Sequence, residues 1–425
     1  MNPKVLIDPA AQPRYVSWYC GVQAFLALDF VLLLPLGPDV AHSMGFAAGH
    51  LGWLSGAYSF GAFVGGLACV ARLDQWPRKH ALMAALLLLS VLALLQGIVT
   101  HLGQLVGVRF VQGLVSAPAA ALLLAAIIDQ TAPSHRGRVI GTVMLGFTLA
   151  MVLGIPLGLW GAQLIGWRYF IVSLALAQGV WCGLGYWLIA ISPAAPHAAS
   201  SGAKLVPQLI ALCQQPLLRR ALLAQGSNTL ACFLIVPSFS AFFLSNLAWH
   251  RDHLAPLYLL GGLATFFALK GWGRWCDAKS PHIAFNGALV LSLCGLLPLM
   301  MPGAGLGPLP SPALLALCFC AFMAANACRQ LSLTAYTSEL PQPYQRGAYL
   351  SLEHAVQDGA AAAGAIIASA VFWLLPPSAQ TQAARLDFEP WAMVWLVCLS
   401  LTAMVAALYF QRPLQNSHEP RFLQP

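Results

Sequence analysis

Apolar residues in this chain form a series of long runs, and a short polar or proline-bearing segment separates each run from the next. A run of about 20 apolar residues has the length of a helix that crosses the hydrocarbon core of a bilayer. Such runs lie at about 15–38, 50–71, 80–100, 103–129, 138–162, 168–192, 219–247, 254–276, 282–302, 312–338, 347–375 and 391–411. The pattern predicts an all-α integral membrane protein with twelve transmembrane helices, numbered below as spans 1 to 12.

The segment between spans 6 and 7 differs from the other connections. It reads SPAAPHAASSGAKLVPQLIALCQQP from Ser192 to Pro216, and small residues and prolines of this kind are typical of a linker. The sequence therefore predicts two domains of equal helix number. An N-terminal six-helix bundle is expected at 1–192, a cytoplasmic linker at 193–218 and a C-terminal six-helix bundle at 219–425.

Composition supports a membrane protein and excludes several other classes. The chain is 59% hydrophobic and only 8% charged, whereas about a quarter of the residues of a soluble domain carry charge. The net charge of +8 is spread over single residues and pairs, without the basic stripe that nucleic-acid binding requires. The 11 cysteines lack the spacing of a zinc site, so we expect reduced, buried thiols and neither a metal nor a cofactor. Residues 1–14 are polar and contain three prolines, which argues against a cleavable signal peptide.

The distribution of lysine and arginine predicts the orientation in the membrane. Positively charged loops stay in the cytoplasm, and most basic residues fall in the connections that lie on one side when both termini are cytoplasmic. The opposite side carries Arg168, Arg251 and Arg385. We therefore expect a multi-pass protein of the inner membrane with both termini in the cytoplasm.

Span 5 contains residues that weaken a helix unless close packing or a bend compensates for them. Pro156 lies between Gly154 and Gly158, and these two glycines are four residues apart on one face. In a bilayer such a face lets two helix backbones approach closely. We expect span 5 to bend at this point and to present the glycine face to the second half of the molecule.

The connections after spans 2 and 8 resemble each other. Asp74 is followed by Arg78 and Lys79, and six spans later Asp277 lies between Arg274 and Lys279. A duplicated six-helix unit would leave such a repeat.

Together these features resemble the major facilitator superfamily, and the span 5 glycines resemble the antiporter motif of its twelve-span drug/proton antiporters and sugar-efflux proteins. The further motifs that carry the resemblance are RFVQG at 109–113, RGR at 136–138 and GIPLG at 154–158. The loop after span 2 departs from the family pattern, because Val70 and Pro77 stand where the family has glycine. The resemblance implies a transporter that works by alternating access and leaves the substrate undefined.

The resemblance also implies a role for the loop charges in gating. Asp74 is expected to accept hydrogen bonds from the N-terminus of span 11, and Arg78 and Lys79 are expected to reach acidic partners. Asp129, at the end of span 4, is a candidate partner for Arg136 or Arg138, and Asp277 occupies the repeated position. The alternative is that these charges are solvated and only fix the topology.

Charged residues within the first six spans point to the coupling chemistry. Asp29 lies roughly 14 residues into span 1, about 21 Å along the helix and near the middle of the bilayer. A carboxyl group at that depth is a candidate for taking up and releasing a proton. Arg109 in span 4 resembles the membrane-embedded arginine of the family and is the natural counter-charge. The alternative is a permanent ion pair that only orders the helices.

The second half offers Arg329 in span 10 and the stretch EHAVQD from Glu353 to Asp358 in span 11. Arg329 would balance Glu353 or Asp358 in charge, and Asp358 lies deeper in the membrane. Glu353 is the one that could simply reach the cytoplasmic interface. Lys270 is expected to extend to the interface, and His354 to be neutral and hydrogen bonded. Uncharged polar residues that line a path or join helices are Gln23, Tyr58, Gln112, Gln225, Asn228, Asn326 and Gln330.

Three rival classes fit less well. The pair His354 and Asp358 matches an acyltransferase pattern only superficially, and no Gly-rich loop or paired nucleophile accompanies it. The duplicated halves argue against a channel, and the lack of a P-loop argues against an ATP-driven pump. We expect a monomeric secondary transporter whose partners are the bilayer, protons and a small organic substrate that it exports. Proton-coupled uptake of a small organic anion, with Arg109 and Arg329 as ligands, is the alternative.

Overall fold

The computed structural model describes most of the chain and contains only helices as regular structure within the described part. The residues described are 12–69, 78–131, 135–188, 205–247, 249–278, 280–300, 311–338, 340–342, 345–375 and 390–415.

The helices of the first half follow the predicted spans closely. They are Gln12–Val31 with Gly37–Met44 (span 1), Leu51–Cys69 (span 2), Arg78–Ile98 (span 3), Leu102–Gln130 (span 4), Arg136–Leu149 with Ile155–Ile165 (span 5) and Trp167–Leu188 (span 6).

The helices of the second half repeat this order after a short helix at Leu205–Gln214. They are Pro216–Phe233 with Val236–Ser245 (span 7), Leu254–Ala278 (span 8), Pro281–Met300 (span 9), Pro312–Thr337 (span 10), Arg346–Leu374 (span 11) and Pro390–Gln415 (span 12).

By length and composition, 10 helices within the described residues are long and apolar enough to cross a membrane, and these are spans 3 to 12. Spans 1 and 2 contain more polar residues and glycines but belong to the same bundle. Span 1 packs against spans 5 and 6, and span 2 packs between spans 4 and 11. The helical architecture agrees with the predicted all-α membrane fold and is consistent with twelve spans.

Spans 1 and 7 are both interrupted, which the sequence pattern did not predict. The first helix of span 1 ends at Val31 and a second helix starts at Gly37, while span 7 stops at Phe233 and resumes at Val236. Prolines 35, 38 and 237 lie at these breaks, and a proline removes a main-chain donor and clashes with the preceding turn. The first span of each half is thus broken near the same level.

Span 5 departs from a regular α-helix at the expected point. A π-helical turn at Ala150–Gly154 precedes Pro156, which lies in the first turn of the helix Ile155–Ile165. The direction of the glycine face was predicted wrongly, however. A methyl group placed on Gly154 would lie 2.5 Å from Leu28 Cδ2, and one on Gly158 would lie 2.2 Å from Leu32 Cδ1. Gly154 and Gly158 therefore pack against span 1 of their own half. Because glycine has no side chain, the two helices can approach closely at these positions.

The two halves meet at one end of the bundle, opposite Gln12 and Gln415, which we call the distal end. A methyl group on Gly52 of span 2 would lie 2.2 Å from the main-chain oxygen of Ala365 in span 11. Ser369 Oγ also donates to the carbonyl of Gly49 over 2.8 Å. The backbones of spans 2 and 11 therefore touch directly at this end.

Span 8 makes the second contact between the halves. It packs against the π-helical turn and the following helix of span 5, where a methyl group on Gly262 would lie 3.0 Å from Val152 Cα. This face of span 5 is opposite to the one that carries Gly154 and Gly158. The close approaches at Gly52 and Gly262 thus depend on glycines that lie outside the antiporter-like motif.

Candidate functional site

Arg109 caps the broken end of span 1. Its side chain is 1% exposed, and Nη1 donates to the carbonyl of Asp29 over 2.6 Å while Nη2 donates to the carbonyl of Phe30 over 3.0 Å. The last carbonyls of a helix have no partner in the next turn, and they carry the negative end of the helix dipole. The break after Val31 therefore creates the acceptors that the guanidinium binds.

The carboxylate of Asp29 is joined to Arg109 through a glutamine and not directly. Oδ1 of Asp29 accepts from Gln112 Nε2 over 2.9 Å, and Oε1 of Gln112 accepts from Arg109 Nη1 over 3.3 Å. Oε1 of Gln112 also accepts from Gln96 Nε2 over 2.7 Å. The second oxygen, Asp29 Oδ2, is buried, and no described residue donates a hydrogen bond to it. Arg109 is thus near Asp29 as a counter-charge but is linked to the carboxylate through Gln112, and one carboxylate oxygen is available for a proton.

An aromatic series leads from this site to the other half. The Arg109 guanidinium lies 4.3 Å from the centre of the Tyr58 ring, and Tyr58 donates to Ser116 Oγ over 2.6 Å. The Phe30 ring lies 5.1 Å from Tyr58 and 5.8 Å from Phe233, with which it is stacked. Phe233 ends the first helix of span 7, so the rings connect the two helix breaks.

Glu353 lies in a polar cluster of the second half and does not reach an interface. It is 1% exposed, and its Oε1 accepts from Gln225 Nε2 over 2.5 Å and from Thr337 Oγ1 over 3.2 Å. Gln330 donates to Gln225 over 3.2 Å, and Asn228 donates to Gln330 over 2.9 Å. Spans 7, 10 and 11 are therefore held together by side-chain hydrogen bonds.

Arg329 is not brought to an acidic residue. Its side chain is 0% exposed and donates to Asn326 Oδ1, while Nε and Nη1 have no partner. Glu353 has the partners named above, and Asp358 is part-exposed on span 11 beside Gly359. The expected pairing of Arg329 with Glu353 or Asp358 is therefore wrong in this conformation, because the amide cluster occupies the space between spans 10 and 11.

Lys270 and His354 are both exposed side chains on the second half. Lys270 is exposed and lies 4.5 Å from the centre of the Phe266 ring, as expected for a side chain that extends to the interface. His354 is exposed and its Nδ1 lies 2.7 Å from the carbonyl of Leu350, so it is hydrogen bonded within its own helix.

The loop charges are placed only in part. Asp74 and the side chains of Arg78 and Asp277 lie outside the described residues. Lys79 donates to the carbonyl of Tyr186 in span 6 over 2.8 Å, within its own half.

In the loop before span 5, Arg136 Nε donates to the carbonyl of Thr131 over 3.2 Å, and Arg138 and Asp129 are exposed. The arginine thus fastens the loop to its own main chain. This contact is local to the first half.

A strong contact between the halves involves residues that sequence reasoning did not select. Arg251, which precedes span 8, donates from Nε to the two oxygens of Asp39 over 2.9 and 3.2 Å, and Nη2 adds a further bond to Oδ2. The neighbouring Asp252 accepts from Gln163 Nε2 of span 5 over 3.2 Å. The distal end is therefore closed by an ion pair as well as by helix packing.

Two cavities flank Arg109. One lies between the halves and is lined by Leu33, Leu34, Leu51, Leu54, Ser55, Arg109 and Pro237. The other lies within the first half and includes Asp29, Gln96 and Gln178. No group of acidic, histidine or cysteine side chains suited to a metal ion occurs among the described residues. The embedded chemistry consists of charges, amides and aromatic rings.

A comparison with models of known protein families matches residues 19–365 to the Major Facilitator Superfamily. The chain belongs to the Major Facilitator Superfamily. It is accordingly a multi-pass membrane transporter of small molecules, and the resemblance seen in its motifs is confirmed.

Relatives within the superfamily include exporters. The chain is 27% identical over 272 residues to a chloramphenicol resistance protein of Streptomyces lividans, with 61% of this chain and 66% of that protein covered. It is 24% identical over 301 residues to the purine ribonucleoside efflux pump NepI of Escherichia coli O157:H7, which covers 68% of this chain and 74% of the pump. The matched part thus spans about two thirds to three quarters of these superfamily members.

A solved structure supports the fold. A bacterial homologue of the human lysosomal transporter Spinster superimposes with a TM-score of 0.72 at 12% identity, covering 96% of this chain and 99% of that one. At this identity the likeness concerns the superfamily fold alone.

Proposed function

We propose that the protein exports a small organic molecule across the inner membrane in exchange for protons. The observation that carries this proposal is the free, buried oxygen of Asp29 beside a guanidinium that binds the end of span 1. A carboxyl group within a bilayer is costly, and such groups usually serve transport.

Protonation of Asp29 would change the charge balance of the first half. The carboxylate compensates the Arg109 guanidinium while both are charged. When Asp29 takes up a proton, the guanidinium remains as an uncompensated buried charge, which is costly in a low dielectric. The conformation that gives Arg109 better solvation is then favoured. The proton therefore shifts the population between the state that is open to the cytoplasm and the state that is open at the distal end.

The closed distal end corresponds to one state of this cycle. With both termini in the cytoplasm, the distal end faces outward, and the conformation described here takes substrate from the cytoplasm. Domains at 1–192 and 219–425, joined by the linker at 193–218, would then rock about the contacts of spans 2 and 11. The protein acts as a monomer, because one chain supplies both halves of the path.

Roles follow for the other embedded residues. Arg329 and Asp358 contact the substrate, since neither is engaged by an opposite charge. Glu353 holds spans 7, 10 and 11 together. Gly154, Pro156 and Gly158 keep the bend of span 5 closely packed on span 1, and the loop charges Asp74, Arg78, Lys79, Asp129, Arg136, Arg138 and Asp277 stabilise the state that is closed at the cytoplasmic end.

The names of the relatives support export over uptake. Chloramphenicol resistance and purine ribonucleoside efflux both describe removal of a small organic compound. One observation favours the alternative, proton-coupled uptake of an organic anion. The Arg329 guanidinium is buried with two nitrogens unpartnered, and an anionic substrate would compensate its charge.

Tolerance of toxic compounds tests the proposal. Cells lacking their own exporters would express the protein and be grown with chloramphenicol and then with a panel of nucleoside analogues and other antibiotics. Wild type is expected to raise tolerance to at least one compound. Asp29→Asn is expected to abolish that tolerance, whereas Tyr409→Phe, which removes a polar group from a 66% exposed side chain of span 12, retains it. Unchanged tolerance in Asp29→Asn would remove Asp29 as the coupling group.

A further inference from the structure

The cavity beside Asp29 lies entirely within the first half. Its lining comes from spans 1, 3, 4 and 6, and no residue of the second half contributes. The lining residues that matter here are Asp29, Ala93, Gln96, Arg109, Ala175 and Gln178. The cavity between the halves, which includes Pro237 of span 7, does not include Asp29. The carboxylate therefore borders an internal chamber and not the junction at which a substrate would pass.

The polar groups of this chamber are incompletely satisfied by the protein. Gln96 and Gln178 are buried residues on spans 3 and 6, and their amide nitrogens donate to Gln112 and to the carbonyl of Leu86. Asp29 Oδ2 is buried, and no described residue donates a hydrogen bond to it. A buried acceptor without a donor costs free energy, and a water molecule is the smallest donor that fills the need.

The chamber has the size and polarity that water requires. The space that the centre of a water molecule can occupy here is about 20 Å³, which is enough for about one water, and a water is held when two to four polar partners surround it. Asp29, Gln96 and Gln178 supply acceptors from three different helices, while the remaining lining is Arg109 with leucine, isoleucine and alanine. The charged groups that face Asp29 are limited to Arg109 of span 4, and Tyr58 of span 2 is the neighbouring phenol.

We propose that this chamber holds water that delivers protons to Asp29 by a route separate from the substrate path. The proposal rests on the proposed proton coupling. In the step itself, a protonated water gives its proton to Asp29 Oδ2. One O–H bond breaks on the water, one forms on the carboxyl group, and the positive charge moves with the proton.

Separation of the two paths has a mechanistic consequence. Substrate and proton do not compete for the same carboxylate. Arg109 borders both cavities, so it is the residue through which protonation of Asp29 is transmitted to the substrate path.

Infrared spectroscopy of purified wild type and variants tests the chamber without any substrate. The stretch of the protonated Asp29 carboxyl is identified as the band that Asp29→Asn removes, and its shift is timed after transfer from H2O into D2O. Ala175→Leu fills the chamber, and Gln178→Leu removes an acceptor at nearly constant size. The matched control is Leu176→Phe, which adds volume on the adjacent, 56% exposed side of span 6.

The proposal predicts a prompt shift in wild type and in Leu176→Phe, and a delayed or lost shift in both chamber variants. Exchange at the wild-type rate in Ala175→Leu and Gln178→Leu overturns it, as does the lack of any protonated Asp29 band across the accessible pH range. Gln178→Leu keeps the test valid if Ala175→Leu does not fold. Failure of wild type to move protons with substrate would end the proposed function but would leave the exchange result, and therefore the chamber, standing.

Discussion

The guanidinium of Arg251 binds the carboxylate of Asp39 with two donors, although the two residues belong to opposite halves of the bundle. Their side chains are 23% and 27% exposed, so water screens the pair only in part. In a transporter that opens at one end while the other is closed, this contact must break whenever the distal end opens.

Removal of the Arg251 to Asp39 contact is expected to favour opening of the distal end. Arg251→Gln or Asp39→Asn should shift the equilibrium by about 1 kcal/mol, or about fivefold in the ratio of states. Spin labels at residues 101 and 253, in a background without exposed cysteines, would report a larger population of long distances. The exchange of charges in Asp39→Arg with Arg251→Asp should restore short distances. If the single variants match wild type, the pair does not hold the end closed.

Sequence reasoning placed Arg251 in the connection before span 8 but gave it no partner. The reason is physical: Asp39 lies 212 positions away, and the packing of the two halves brings these residues together. Embedded charges such as Asp29 and Arg109 were recognisable because each is costly in a bilayer. Their actual linkage was not, because it depends on the main-chain carbonyls that the break after Val31 exposes.

The same contrast holds for span 5. The interruption of the regular helix was predictable from Pro156, since a proline disturbs the helix within its own sequence. The partner of the glycine face was not, because a small-residue face fits any close neighbour and does not specify which one. A face of small residues therefore predicts that a close helix contact exists, but not which helix makes it.

Substitution of glycines in span 5 should have graded effects. A methyl group on Gly146 would lie 2.1 Å from the main-chain oxygen of Cys20, which cannot move aside, whereas the neighbours of Gly154 and Gly158 are ends of leucine side chains. Gly146→Ala is therefore expected to lower the free energy of unfolding by about 1–3 kcal/mol. Its thermal unfolding midpoint should accordingly fall further than that of Gly158→Ala.

The control is Gly141→Ala, since nothing lies within 4 Å of its new methyl group. The larger changes Gly154→Leu and Gly158→Leu should permit membrane insertion but impair transport. Full transport in either leucine variant would contradict the close packing of spans 1 and 5.

The stacked rings of Phe30 and Phe233 are expected to contribute to substrate binding. A substrate ring placed between the halves would replace this contact, and one aromatic pair is worth about 0.5–1.5 kcal/mol. Phe30→Ala and Phe233→Ala should therefore raise the KM of an aromatic substrate about two- to tenfold with little change in expression. Phe267→Ala, at a 65% exposed ring, is the control. An unchanged KM in both variants would place the substrate elsewhere.

Glu353 should behave as a structural residue. Glu353→Gln preserves the oxygen that accepts from Gln225 and Thr337, so stability and transport should stay close to wild type. Glu353→Leu leaves both donors without an acceptor and should cost about 1–3 kcal/mol for each buried donor. Thermal unfolding combined with a transport assay separates the two variants. Loss of proton coupling in a stable Glu353→Gln would instead assign the proton to this carboxylate.

Luminal pH in proteoliposomes tests the central claim most directly. Vesicles that contain the protein and a trapped pH indicator are given an inward gradient of a compound to which the protein confers tolerance. Exchange of substrate for protons predicts that the lumen becomes more alkaline, and that Asp29→Asn abolishes this change while it still binds the compound. Acidification of the lumen, or an equal rise in pH with Asp29→Asn, would contradict proton-coupled export through Asp29.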